Sequence, residues 1–322
     1  MAVYTKIDNN DVLSLGNSYG IDEITKFKGI KKGIENTNYL LKTNKNKFIL
    51  TIFEKRVQKK DLPFFMNLME KLNEKKIICP KPLRDNKNRH LCLIKEKPAC
   101  IVTFLEGVDK TNLNYKNCFD IGKNIAKFHK VTTKMKLYRQ NSMSVKKLGT
   151  LLSSIKFKSN KIPPKLKPTL NACLKDIKNK WTKELPNGII HGDLFIDNIF
   201  FYKNEFSGFI DFYFSSNDYL MYEIAICVNS LCFDKKNNSF ILNNKKVKNL
   251  IDGYESIRPF LKKEKDALNI LCRGAALRYL LTRIYDYFNT PKTALIQIKD
   301  PNEYLEKLII HNQLSNYTDY YK

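Results

Sequence analysis

Residues 188–213 read GIIHGDLFIDNIFFYKNEFSGFIDFY. Two apolar runs, Asn198–Phe201 and Gly208–Phe212, flank a polar turn at Lys203-Asn204-Glu205, the pattern of a β-hairpin. A tight polar loop comes immediately before it, from His191-Gly192-Asp193 to Asp197-Asn198. The hairpin therefore gathers three oxygen-bearing side chains. Asp193 lies on the loop, Asn198 where the first strand begins, and Asp211 near the end of the second, thirteen residues after Asn198.

Those residue types suit phosphoryl transfer to an alcohol. A hydroxyl needs an acceptor for its proton as it meets the γ-phosphate, and a carboxylate such as Asp193 can align it and take that proton late. Charge on the β- and γ-phosphates calls for Mg²⁺, which prefers hard oxygen donors such as the Asn198 amide and the Asp211 carboxylate. The spacing H-x-D-x-x-x-x-N followed by I-D-F matches the kinase catalytic loop and its metal-binding Asp. His191 reads as a brace for the loop, its imidazole bonding backbone or carboxylate.

Upstream, the first hundred residues alternate strand and helix signals. A short helix over about 9–18 leads to strands at Glu23–Ile30, Thr37–Thr43 and Lys47–Phe53, the last two joined by the turn Asn44-Lys45-Asn46. Asp61-Leu62-Pro63 opens a helix with Asp61 as N-cap, and its apolar face runs Phe65, Leu68, Met69, Leu72. Strands at His90–Ile94 and Ala99–Leu105 complete a small antiparallel sheet with one packed helix. In the first hairpin, Phe27–Leu41, Gly29 and Gly33 allow the backbone to turn, and N–H groups near Glu35–Asn38 are placed to meet phosphates. The strand Phe48–Phe53 carries Thr51 where a kinase would carry its ATP lysine. Lys55 and Arg56 just beyond are the candidate stand-ins, and both also read as solvated surface charges.

Downstream of Glu106-Gly107 the pattern turns helical, with an amphipathic helix over Cys118–Val131, a surface loop near 156–168 and a helix around 169–183. From 219 onward the signal is helical again and includes Asp266–Phe288. The expected architecture is α+β: a β-rich lobe over residues 1–105, a hinge near 103–108, and a larger, mainly helical lobe over 106–322.

Composition narrows the function classes. The 322 residues carry 57 Lys+Arg against 32 Asp+Glu, a formal net charge of +25. Only eight of the 57 are Arg, whereas phosphate and base recognition favour Arg's planar fork. Lys and Asn enriched together look like a codon bias, so the charge by itself does not argue for nucleic acid. The eight Cys are scattered with no C-x-x-C pair, and most sit among apolar neighbours, as reduced buried thiols do. Four His and no paired Cys suggest no metal cage. The amino terminus has no apolar signal region, and no uncharged apolar run approaches 18 residues. The reading is a soluble cytoplasmic protein with neither a nucleic-acid nor a membrane partner; oligomeric state is left open.

The His191–Asn198 loop with Ile210-Asp211-Phe212 resembles the aminoglycoside-phosphotransferase superfamily, small-molecule kinases with a protein-kinase-like, two-lobed fold. Further stretches resemble one branch of it, whose acceptor is the side-chain hydroxyl of L-homoserine. They are Met1–Thr5, Phe27–Ile30, Glu35–Asn38, Ile49–Thr51, Glu54–Arg56, Asp61–Phe65, His191–Phe201, Gly208–Asp218, Arg273–Arg278 and Asp300–Tyr304.

The resemblance covers essentially the whole chain. It implies an enzyme of amino-acid biosynthesis, on the route to threonine, that uses ATP and Mg²⁺. Asp193 maps onto the base, and Asn198 and Asp211 onto the magnesium ligands; Gly33, Glu35, Asn36, Asn38 and Lys55 remain the ATP-binding candidates read from the first lobe itself. Thr51 is then usual for its slot. Tyr222-Glu223-Ile224-Ala225 departs from the family's Tyr-Asp-Leu-Ala, so the carboxylate expected to support the catalytic loop is one methylene longer.

For the acceptor, a zwitterion, Asp218 and Tyr213 are the candidates for the ammonium, and Arg273 or Arg278 for the carboxylate. Surface ion pairs are the competing reading of both arginines. Arg283 lies on the same helix, and at 100° per residue the three cannot all face one pocket. A related kinase of the same superfamily, acting on choline, methylthioribose or an aminoglycoside, is the alternative.

Overall fold

Asp8 accepts hydrogen bonds from the backbone of Asn10 and Asp11 and so opens α1 (Asn9–Tyr19), which Gly20 closes in the left-handed region at φ 59°. The computed structural model containing it describes residues 3–30, 36–54, 57–155, 157, 166–237, 239–289 and 299–322. The described residues divide into two units. One runs to Gly107 and includes Ser207–Tyr213; the other holds the remainder from Val108 onward.

In the first unit, five strands form one sheet: β1 (Lys26–Gly29), β2 (Thr37–Lys42), β3 (Lys47–Ile52), β4 (Leu91–Ile94) and β5 (Lys97–Thr103). Their order is β1-β2-β3-β5-β4 and every pairing is antiparallel. Alternation along β2 turns Thr37, Tyr39 and Leu41 inward. They meet Val12, Leu15 and Tyr19 of α1, and Leu50, Ile52, Ala99 and Ile101 of the sheet join the same core.

A second helix, α2 (Leu62–Glu74), buries the expected Phe65, Leu68, Met69 and Leu72. Asp61, expected to cap it, makes no side-chain cap bond. A 3₁₀ turn over Lys59–Asp61 already holds it in helical backbone, φ −89° and ψ −15°, whereas a capping side chain works from an extended residue.

The second unit is mainly helical: α3 (Tyr115–Thr132), α4 (Val145–Ser154), α5 (Leu166–Lys180), α6 (Leu220–Leu231), α7 (Asn244–Glu255), α8 (Lys262–Asn289), α9 (Asn302–Gln313) and α10 (Tyr317–Tyr320). A Cβ on Gly253 of α7 would stand 2.0 Å from the Phe119 carbonyl oxygen, so α3 and α7 pack backbone against backbone. Of the loop expected at 156–168, residues 156 and 158–165 lie outside the described residues, and its end is already helix from Leu166.

Short strands went unread in the sequence. β6 (Asn187–Ile190) pairs antiparallel with β9 (Ser216–Tyr219), and β10 (Phe233–Lys236) with β11 (Ser239–Leu242). Between β6 and β9, the expected hairpin forms from β7 (Ile199–Tyr202) and β8 (Glu205–Phe209). Its two-residue turn has Lys203 and Asn204 left-handed, at φ 47° and 68°. Phe212, expected to end the second strand, lies instead in a 3₁₀ turn over Phe212–Phe214, the strand stopping at Phe209.

A buried polar cluster pins α9 to its neighbours. Lys307 donates to the Asn229 carbonyl oxygen at 2.8 Å and to Glu303 at 2.6 Å, and Arg283 donates to Glu303 at 2.6 Å. His311 joins Tyr320 through Nδ1 at 2.9 Å and Asn229 through Nε2 at 3.2 Å. Among the described residues no helix is long and apolar enough to cross a membrane.

Candidate active site

The loop after β6 is fixed from three sides. Glu223, in the first turn of α6 and fully buried, accepts the backbone N–H of His191 and, at 3.1 and 3.3 Å, that of Gly192. A carboxylate on two amides is a charge-assisted anchor, and the longer Glu side chain reaches both. His129 of α3 lies behind it, Nε2 at 3.9 Å from Glu223 Oε2 and Nδ1 at 2.8 Å from the Tyr254 hydroxyl; burial holds its pKa below the usual value.

Gly192 has φ 79°, and a Cβ there would stand 2.9 Å from the Phe214 carbonyl oxygen, so no other residue fits without displacing backbone. On the carbonyl side, Arg278 Nη1 donates to the Gly192 oxygen at 2.8 Å. Asn198 Nδ2 and the Phe195 N–H donate to the Asp193 backbone oxygen at 2.8 and 2.9 Å, and the Ser230 hydroxyl donates to the Leu194 oxygen at 2.6 Å. Each peptide carbonyl from Gly192 to Leu194 thus has a partner, as a buried loop requires.

The Asp193 carboxylate emerges from this frame. Its Oδ1 accepts from the Tyr279 hydroxyl at 3.3 Å and its Oδ2 lies 3.5 Å from Asn198 Nδ2. Because Asn198 spends its amide nitrogen on Asp193, its amide oxygen is the end left to serve a cation. Asn198 ends a 3₁₀ turn over Ile196–Asn198 and leads into β7. Asp211, exposed and left-handed at φ 63°, follows β8 by two residues. It belongs to the first unit, whereas Asp193 and Asn198 belong to the second.

The remaining expected residues fall as follows. Gly33, Glu35 and Lys55 lie outside the described residues. Asn36 is buried, and Asn38 accepts from the Thr51 hydroxyl at 2.8 Å, so the slot of the kinase lysine holds a neutral pair. Tyr213 packs perpendicular to Phe53 and Phe65, with ring centroids 5.0 and 5.6 Å away, and burial drives its pKa upward.

Asp218, on β9, accepts from Asn141 Nδ2 at 2.6 Å, and burial pushes its carboxyl up. The three arginines of α8 point apart, as their spacing requires. Arg273 pairs with Asp176 at 2.6 Å, Arg278 holds Gly192, and Arg283 donates to the Asp300 backbone oxygen at 2.8 Å as well as to Glu303. Sequence reasoning missed Tyr279, which directly follows the Arg273–Arg278 stretch, and Asn141; a tyrosine in a helical run reads only as core.

Residues 26–260 match the model of the Phosphotransferase enzyme family. A homoserine kinase of Agrobacterium fabrum is 40% identical over 320 residues, covering 99% of this chain and 98% of its own. One of Methylobacterium radiotolerans is 39% identical over 320 residues, covering 99% of each. Among solved structures, an amicoumacin kinase in complex with AMP-PNP, Ca²⁺ and Ami has a similar fold. It has a TM-score of 0.72 at 15% identity, covering 95% of this chain and 92% of that one.

Proposed function

The chain belongs to the Phosphotransferase enzyme family, and we propose that it is a homoserine kinase, moving the ATP γ-phosphate to the side-chain hydroxyl of L-homoserine. The product is O-phospho-L-homoserine, an intermediate on the route to threonine. The observation that carries this is identity near 40% to homoserine kinases matched end to end. The fold likeness at 15% identity is shared with kinases of other acceptors and does not choose among them.

In this reading Asp193 accepts the acceptor's proton as the oxygen–phosphorus bond forms and the γ-phosphorus leaves the ADP oxygen. Glu223 holds the His191 and Gly192 amides, so the loop keeps one geometry through the reaction, and His191 braces it. Asn198 and Asp211 are each assigned as magnesium donors. The support is chemical: one offers an amide oxygen whose nitrogen is already engaged, the other an exposed carboxylate.

Among the described residues no trio of His, Cys, Asp or Glu side chains gathers as a cage. Few protein donors suit magnesium, which keeps waters and phosphate oxygens as its other ligands. When bound, the ion neutralises charge on the transferring phosphate.

We assign nucleotide binding to residues 1–105, with Asn36 and Asn38 in its phosphate segment, and catalysis and acceptor binding to 106–322. Asp218 with Asn141 is the assigned seat for the ammonium. Arg273 and Arg278 have partners of their own, so neither is carried forward for the carboxylate.

The test is ADP release with Mg²⁺-ATP and, separately, L-homoserine, L-serine, choline and kanamycin. Homoserine should give the highest kcat/KM. Turnover of another acceptor with none of homoserine would overturn the assignment.

A further inference from the structure

We propose that Arg278 and Tyr279, consecutive on α8, are positioning residues for phosphoryl transfer: both hold the Gly192 carbonyl, and the Tyr279 hydroxyl orients the Asp193 carboxylate. The inference rests on the reading of Asp193 as proton acceptor.

The three arginines of α8 make the case by contrast. Arg273 and Arg283 each take a carboxylate, Asp176 and Glu303. Arg278 is only 3% exposed, yet among the described residues it forms no ion pair; its directed bond goes to a backbone oxygen of the catalytic loop. A buried guanidinium without a carboxylate is costly, and its charge is then available to whatever acid lies near. Asp193 is one such acid and Asp218 another: burial works against the Arg278 charge while Tyr279, Tyr222 and Asp193 raise its pKa, and Arg278 in turn draws the Asp218 carboxyl down against its burial.

Tyr279 delivers its hydroxyl from a fixed ring. Phe195, two residues after Asp193, packs edge-on at 4.9 Å, and Tyr304 of α9 packs at 5.1 Å. The one phenol proton is shared between Gly192 O at 3.4 Å and Asp193 Oδ1 at 3.3 Å. Asp193 is therefore oriented from one side by Tyr279 and from the other by Asn198.

Tyr279→Phe keeps the ring and removes the donor. With Mg²⁺-ATP and L-homoserine it should lower kcat roughly ten-fold, with both KM values within about two-fold of wild type. In an Asp193→Asn background the same substitution should cost less than about two-fold, because its effect acts through that carboxylate. Tyr317→Phe, on α10 and outside the Asp193 loop, should leave kcat unchanged. A full kcat in Tyr279→Phe, or a loss that persists undiminished in the Asp193→Asn background, would overturn the proposal. Failure of the wild type to use homoserine would instead count against the functional assignment.

Discussion

Glu223 and Lys307 are both ionisable side chains enclosed in the second unit, and their partners differ in kind. Glu223 binds the backbone amides of the loop that carries Asp193, and Arg278 binds a backbone carbonyl of the same loop. Lys307 binds Glu303, which Arg283 also binds, so in the α9 cluster one carboxylate answers two cations. Burial alone would raise the Glu303 pKa, but Lys307 and Arg283 outweigh it. Enclosing charge carries a cost in both places. In the α9 cluster it is offset by ion pairs, and the result is helices held together. Around the loop it is offset by peptide dipoles, and the result is one carboxylate held in one orientation. Substitutions should therefore separate: those at the loop act on kcat, those at α9 on stability.

The largest effect is expected at the loop. Asp193→Asn should lower kcat by about a thousand-fold while the Tm stays within a few degrees of wild type. A variant that melts early instead would mean that Asp193 belongs with the structural cluster. Asn198→Ala comes next. It removes both the donor to the Asp193 backbone oxygen and the amide oxygen, so kcat should fall and the apparent Mg²⁺ affinity weaken by about 10–100-fold. A fall in kcat with unchanged Mg²⁺ dependence would leave it the first role only.

At α9 the order reverses. Lys307→Met leaves Glu303 with Arg283 alone and empties the bond to the Asn229 carbonyl. The Tm should drop by about 5–10 °C, with kcat of the folded enzyme within about two-fold. Loss of rate without loss of Tm would erase the distinction between the clusters.

The smallest effect is a pH dependence. His311 is held neutral by burial, which pushes its pKa down to about 3, against about 6.5 in an unfolded chain. The unfolded state binds the proton first, so this contribution is complete above about pH 6.5 and declines as pH falls toward 3. His311→Gln should show a shallower fall in Tm between pH 7 and 4; parallel curves would remove His311 from the acid response.

What the sequence made legible follows the same division. Asp193, Asn198 and Asp211 could be proposed because phosphoryl transfer restricts residue type and spacing, and the sheet of the first unit could be read because β2 and β5 carry clear strand signals. The four-residue strands β6, β9, β10 and β11 are too short to show a period. Glu223 could be read only through resemblance, since its bonds go to backbone amides that leave no mark in sequence. The partners of the α8 arginines were beyond reach for the same reason. Helical spacing says that Arg273, Arg278 and Arg283 diverge, but not that one meets Asp176, another a glycine carbonyl and the third Glu303. Tyr279 looked like any core aromatic of a long helix.

The account rests most heavily on where the γ-phosphate goes. Phosphorus NMR of the wild-type enzyme with Mg²⁺-ATP and L-homoserine follows it directly. One O-phosphohomoserine should appear for each ADP, and Asp193→Asn should slow both signals together. ADP accompanied by inorganic phosphate alone, or no change in ATP, would contradict it.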